Sequence, residues 1–270
     1  MGSAVQTGWP ASSGPVRYGR PRRQRGDLAR TVARGIGQTL VTAGLVVLLF
    51  VVYQLWVTDL LTAQRQGELS DELAEQWGDP TVAAPGGTFL GGPIDVAIGD
   101  PFAVLHVPRL GEDWSRVVVE GTGTQELEEG PGHYVDTAMP GEQGNLSIAG
   151  HRVGRGSPFL DLDQMRPGDP IVVETAEGWF TYRVLGDPAT GEFADPSGIP
   201  GQHIVSPAEV AVIAPTPNAA PGTPPTGAYL TLTTCHPKYS AQQRLIIHAE
   251  LADAQSRADA PDGPAALRAD

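Results

Sequence analysis

Two residues in one stretch have the types and spacing for nucleophilic chemistry. Cys235, the only cysteine in 270 residues, ends a strand-like run, and Arg244 opens the next, within YLTLTTCHPKYSAQQRLIIHAEL (229–251). Side chains on a strand alternate between faces. Counting in twos puts Tyr229, Thr231, Thr233 and Cys235 on one face, with Leu230 and Leu232 on the other. In the second run Leu245, Ile247, Ala249 and Leu251 share a face, and Arg244 lies opposite them. If the runs are antiparallel neighbours joined by residues 236–243, and their aliphatic faces coincide, Cys235 and Arg244 stand side by side. A thiol attacks only as thiolate, and it needs a base or a positive neighbour. The pair suits acyl transfer through a thioester.

The base has to come from elsewhere. The candidates are His106, His133, His151, His203, His236 and His248. His106 and His248 fall inside strand-like runs. His236 follows Cys235 directly and would point to the other face. His151 follows the apolar run NLSIA through Gly150 and opens the glycine-rich AGHRVGRGSPF, where a substrate backbone can approach closely. Spacing alone leaves each residue open. His151 also reads as an exposed loop histidine, Arg244 as an edge-strand charge, and Cys235 as an inert buried side chain.

The elements around these residues are short. Eight apolar runs read as strands: 102–107, 116–120, 145–149, 170–174, 178–185, 210–214, 229–234 and 244–251. One short helix is expected over 158–165, with Ser157 as N-cap and a proline in the first position. Thirty-four glycines, 25 prolines and few aromatic residues suit many turns. The fold class expected is mainly β, antiparallel, closed into a barrel or sandwich. The Pro-rich stretch 215–228 (PTPNAAPGTPPTGA) reads as a long loop just before the cysteine strand.

Charge and hydropathy divide the chain further. Seven of the 18 Lys and Arg and one of the 31 Asp and Glu fall in residues 1–34, so the remainder carries 11 against 30. An acidic body argues against nucleic acid as a partner. Residues 35–58 contain no charge and are dense in Leu, Val and Phe. Such a span is long enough to cross a bilayer. The arginines before it predict a cytoplasmic N-terminus and a domain outside the membrane. The expected layout is a basic disordered cytoplasmic arm (1–34), a transmembrane helix (35–58), an extracytoplasmic stalk and Pro/Gly linker (59–98), a catalytic domain (99–252) and a disordered tail (253–270).

TLTTC at 231–235, an arginine nine residues after the cysteine, and NLSIAGHR at 145–152 together resemble the sortases. The resemblance is strongest to the class E sortases of actinobacteria, over about 99–252. It implies an eight-stranded sortase-type β-barrel behind one transmembrane helix, with Cys235, His151 and Arg244 catalytic. The implied reaction cleaves a C-terminal LAXTG-like signal between Thr and Gly. A Cys235 thioester then passes the secreted protein to an amine of a peptidoglycan precursor, or to water. Arg244 is expected to hold the substrate and the oxyanion, and His151 to act as general acid and then base. No metal or other cofactor is implied. Tyr134, in GPGHYVDT, resembles the tyrosine that class E members place near the signal-binding groove and that goes with preference for LAXTG over LPXTG. Thr234, beside the cysteine, is a further substrate-binding candidate. An L,D-transpeptidase fits less well, because Thr234 precedes the cysteine and His236 and Pro237 follow it. A membrane-anchored β domain that binds a surface partner without catalysis is the remaining alternative.

Overall fold

The computed structural model describes residues 25–53, 58–78 and 96–268. The basic arm before residue 25 and the linker at 79–95 lie outside the described residues. The chain divides into two compact units, residues 1–51 and 52–270.

In the first unit, helix α1 (Arg25–Val52) contains a 25-residue span, Leu28–Val52, long and apolar enough to cross a membrane. Its threonines satisfy their own hydroxyls. Thr39 Oγ1 donates to Gly35 O at 3.0 Å and Thr42 Oγ1 to Gln38 O at 2.9 Å. The helix starts ten residues before the expected apolar span and takes in Arg30 and Arg34. Hydropathy marks where a helix becomes apolar, not where it begins.

The second unit opens on helix α2 (Thr58–Trp77). The expected stalk is, over this length, a packed element. Leu69 and Leu73 are fully buried against Val117 and Val119. Their four-residue spacing puts them on one helix face.

Nine strands follow: β1 (Pro101–His106), β2 (Ser115–Glu120), β3 (Gly132–His133), β4 (Gly144–Ala149), β5 (Pro170–Glu174), β6 (Gly178–Val184), β7 (Gln202–Val205), β8 (Ala228–His236) and β9 (Gln243–Ser256). Eight of them close a barrel in the order β6-β5-β1-β2-β3-β4-β8-β9, completed by β6–β9 pairing. Long β9 pairs with β8 along one edge. On its other edge its first part pairs with β7 and its second with β6. Most pairings are antiparallel, and β2–β3 and β4–β8 are parallel. Alternate residues fill the interior, among them Leu105, Val118, Leu146, Ile148, Phe180, Tyr182, Leu230, Leu232, Leu245 and Ile247.

Four local expectations are corrected. Residues 210–214 are not a strand. Val210–Ile213 form a 3-10 turn, tied down where Asn145 Nδ2 donates to Val212 O and Ala214 O. A short apolar run does not reveal its own period. Strands β3 and β7 were missed, being short and weakly patterned. The helix at 158–165 is a set of turns ending in a 3-10 turn, Leu162–Gln164. Phe159, Leu162 and Met165 are buried at the three-residue spacing that a 3-10 path aligns. Ser157, with φ 42°, cannot hold an extended N-cap conformation. Finally, the tail over its described residues, 253–268, is packed on the domain. It continues β9, and Ala260 and Ala266 then pack on Val172 and Trp179, whose Nε1 donates to Ala260 O at 3.0 Å. Alanine carries too little hydropathy to announce such a contact.

Candidate active site

The site grows from the register of three strands on the barrel's outer face. In the β8–β9 hairpin, Cys235 is paired directly with Arg244, and Leu232 with Ile247. The aliphatic faces do coincide, so the thiol and the guanidinium share the outer face. On the other edge of β8 the parallel strand β4 pairs Ser147 with Thr231 and Ala149 with Thr233. His151 and Cys235 each lie two residues beyond that last pair. Cys235 and Arg244 thus face each other across the hairpin, and the chain leaving β4 carries His151 to the side of Cys235.

Local bonds hold this arrangement. Beyond the ladder, Gly150 N donates to Thr233 O at 3.1 Å. The Thr234 hydroxyl donates to Gly150 O at 2.8 Å. Gly150 has no room for a side chain, since a Cβ there would sit 2.5 Å from Phe159 Cδ2. Phe159 is fully buried, so the chain entering His151 is pressed between the interior and β8. This places Thr234 inside the wall, 3% exposed, bonded to the backbone that precedes His151. It does not line the cavity beside Cys235.

That cavity has a volume of about 220 Å³. His151, Arg152 and Val153 line one side, and Cys235 with Tyr239, Ser240 and Ala241 the other. Cys235 and His151 are half-buried. Burial first, and then the Arg155 guanidinium, hold the His151 imidazole below its ordinary range, while Glu128 pulls the other way. A neutral imidazole can take a proton from the thiol. Arg244 Nη1 donates to Ala241 O at 3.0 Å and Gln243 O at 3.1 Å, so the guanidinium rests on its own hairpin.

Tyr134 lies below Cys235. Its hydroxyl is 3.0 Å from Thr233 Oγ1, two residues before Cys235. Its backbone N–H donates to Ser147 O, which ties it to β4. Deeper on the same face a polar network is buried. Thr231 Oγ1 donates to Asn145 Oδ1 at 2.7 Å and lies 2.8 Å from His248 Nδ1. His248 Nε2 is 3.2 Å from His203 Nε2. Burial, then His203, drives His248 down to about 3. His248 is thus a neutral structural group beneath the site, as its position inside a strand implied.

Two residues beside Cys235 were not singled out from sequence. Arg152 ends the motif NLSIAGHR, and its place next to His151 is the signal that points to it. Tyr239 stands 84% exposed at the cavity edge with φ 67°. Nothing in an isolated tyrosine between Lys238 and Ser240 distinguishes it.

Residues 105–252 match the sortase domain family. Sortase SrtE2 of Streptomyces coelicolor is 34% identical over 244 residues, covering 86% of this chain and 87% of that protein. Sortase SrtE1 of the same organism is 32% identical over 243 residues, covering 87% of this chain but 62% of the relative's length. Among solved structures, sortase E from Streptomyces avermitilis is 40% identical with a TM-score of 0.52, over 64% of this chain and 99% of that one. The SrtF sortase from Corynebacterium diphtheriae gives a TM-score of 0.60 at 34% identity, over 68% of this chain and all of the other. The chain belongs to the sortase family of transpeptidases, among relatives of class E.

Proposed function

We propose that this chain is a membrane-anchored cysteine transpeptidase that cleaves a C-terminal LAXTG-like signal between Thr and Gly. The observation that carries the reading is that His151 and Cys235 line one cavity while Cys235 is paired directly with Arg244. In the proposed reaction, neutral His151 takes the Cys235 proton and the thiolate attacks the Thr carbonyl carbon. The carbonyl oxygen becomes an oxyanion, and Arg244 leaves its hairpin carbonyls to stabilise it. The C–N bond then breaks, and the imidazolium returns its proton to the departing glycine amine. The thioester waits for an amine of a cell-wall precursor, which forms the new amide and expels the thiolate. His151 accepts the amine proton in that half.

Tyr134 is proposed to border the signal-binding surface, from its bond to Thr233 below the thiol. Thr234 is proposed as a positioning residue acting through Gly150. A relative, sortase E1 of Streptomyces coelicolor, has been solved with a tripeptide in its active site, which supports a peptide ligand here. The span Leu28–Val52 supports a single-pass anchor, and the arginines before it support a cytoplasmic N-terminus with the barrel outside.

The test is to incubate the full chain in detergent micelles with an LAXTG peptide and follow both products by mass spectrometry. The wild type is expected to release the glycine-led fragment and to carry the other fragment as a hydroxylamine-sensitive adduct. Cys235→Ala is expected to do neither while keeping its β-rich circular dichroism. Release of the glycine-led fragment by that variant would overturn the mechanism.

A further inference from the structure

The chain that leaves His151 runs into a turn that few backbones adopt. From Gly154 to Ser157, four successive residues lie in the left-handed region, at φ 75°, 54°, 72° and 42°. Two of them, Arg155 and Ser157, carry side chains, for which that region is sparsely populated. Such a turn persists only where its surroundings over-determine it. Its base is closed, since Phe159 N donates to His151 O at 3.1 Å and Ser157 N to Gly154 O at 2.9 Å. What holds its tip lies outside the barrel.

Two helices reach the tip. Helix α3 (Thr124–Glu129) places Glu128 Oε1 2.8 Å from Arg155 Nη2. Helix α3 is itself fastened to α2, where Arg65 Nη2 lies 3.4 Å from Glu129 Oε2 and Gln66 Nε2 donates to Glu129 O. The other contact is direct. Thr62 extends the α2 face that carries Gln66, Leu69 and Leu73, and it is 8% exposed. A Cβ added to Gly156 would stand 2.9 Å from Thr62 Cγ2 and 3.4 Å from Thr62 Cβ. The threonine methyl therefore packs on the bare backbone of Gly156, with no room between them for a side chain. The Arg155–Glu128 pair is partly exposed and screened, so it contributes little. The buried packing contact is the firmer brace. The tip also acts on the imidazole, because it carries Arg155, the second cause of the lowered His151.

We propose that Thr62 is a positioning residue for His151. Through Gly156 it holds the 154–157 turn closed, so that α2 forms part of the support of the active site. This rests on the role of His151 in the transpeptidase reading above. Thr62 touches no substrate. Its effect is on the aim of the imidazole at Cys235, and so on kcat rather than on the peptide KM.

The test is a rescue experiment on the full chain in micelles with an LAXTG peptide, each variant assayed at a temperature where its melt shows it folded. Gly156→Ala drives a methyl onto Thr62 Cγ2, and is expected to lower kcat by about 10–100-fold with the peptide KM changed by less than about twofold. Thr62→Ser removes only that Cγ2, and added to Gly156→Ala it should raise kcat again by about threefold or more, the coupling of two residues in contact. Gly154→Ala is the control. It has nearly the same φ, but its Cβ would meet nothing within 4 Å. It should lose less kcat, and Thr62→Ser should not restore it. Should Gly156→Ala fail to fold, Thr62→Leu presses on the turn from the helix side and should show the same fall in kcat. An unchanged kcat per folded molecule, or a loss that Thr62→Ser does not relieve, overturns the positioning role and leaves the transpeptidase reading standing. Absence of cleavage by the wild type overturns both.

Discussion

Cys235 and Arg244 are direct partners across the β8–β9 hairpin, yet the Arg244 guanidinium lies on the carbonyls of Ala241 and Gln243 rather than bridging to an acid. Those bonds are exposed and therefore weak, so the side chain is free to turn to a developing oxyanion. A lysine at 244 would supply charge without the planar fork. Arg244→Lys is expected to lower kcat/KM for an LAXTG peptide by about 10²–10³-fold, the loss typical of one oxyanion donor. Peptide-cleavage kinetics with a matched thermal melt check this. Near-normal turnover would remove Arg244 from that role.

Gly150 joins β4 to His151 and has Phe159 against it. Gly150→Ala forces either the ring or the backbone aside, an overpacking cost of about 1–3 kcal/mol. Because the displaced backbone carries His151, turnover should fall by more than the loss of folded protein accounts for. Differential scanning fluorimetry beside an assay at a temperature where the variant remains folded separates the two effects.

His248 supplies a pH dependence with a definite sign. Its folded value, about 3, lies below the ordinary imidazole value of ~6.5. The unfolded chain therefore takes up the proton first. Stability from this group is complete above about pH 6.5 and falls as pH drops from there towards 3. His203, also held low by burial, acts in the same direction. Tm measured from pH 7.5 to 4 should fall on the acid side, and His248→Asn should flatten the slope.

Gln66 pins α2 to the barrel with one amide. Its Nε2 donates to Glu129 O at 2.8 Å and Val117 O at 3.2 Å, and its Oε1 accepts from Val117 N at 2.8 Å. Gln66→Ala strands these backbone groups at a cost of about 1–3 kcal/mol. Tm should drop by several degrees, and limited proteolysis should cut α2 sooner than in the wild type. An unchanged digestion pattern would mean that Leu69 and Leu73 hold the helix alone.

The limits of sequence reading follow from how each contact is encoded. Apolar alternation exposed most barrel strands because burial on one face imposes a period of two. It failed at 210–214, where one asparagine sets the path, and at β3 and β7, too short to carry a period. It failed again at the tail, where small alanines find a tryptophan that cannot be foreseen from their own neighbours.

The site divides along the same line. The sequence by itself put Cys235 and Arg244 each on the face opposite the aliphatic residues of two successive runs, so that an antiparallel hairpin with its aliphatic faces inside would make them neighbours, and the β8–β9 register is that hairpin. His151 was added to them by the resemblance alone, and the tertiary structure sets it with Cys235 around one cavity, which depends on β4 lying parallel to β8 in a register with Ala149 opposite Thr233. Parallel neighbours are joined through distant chain, and no local pattern states which strand pairs with which, or at what offset. The same packing buried Arg152 with one nitrogen unpaired, a property of the assembled wall that no residue on its own could announce.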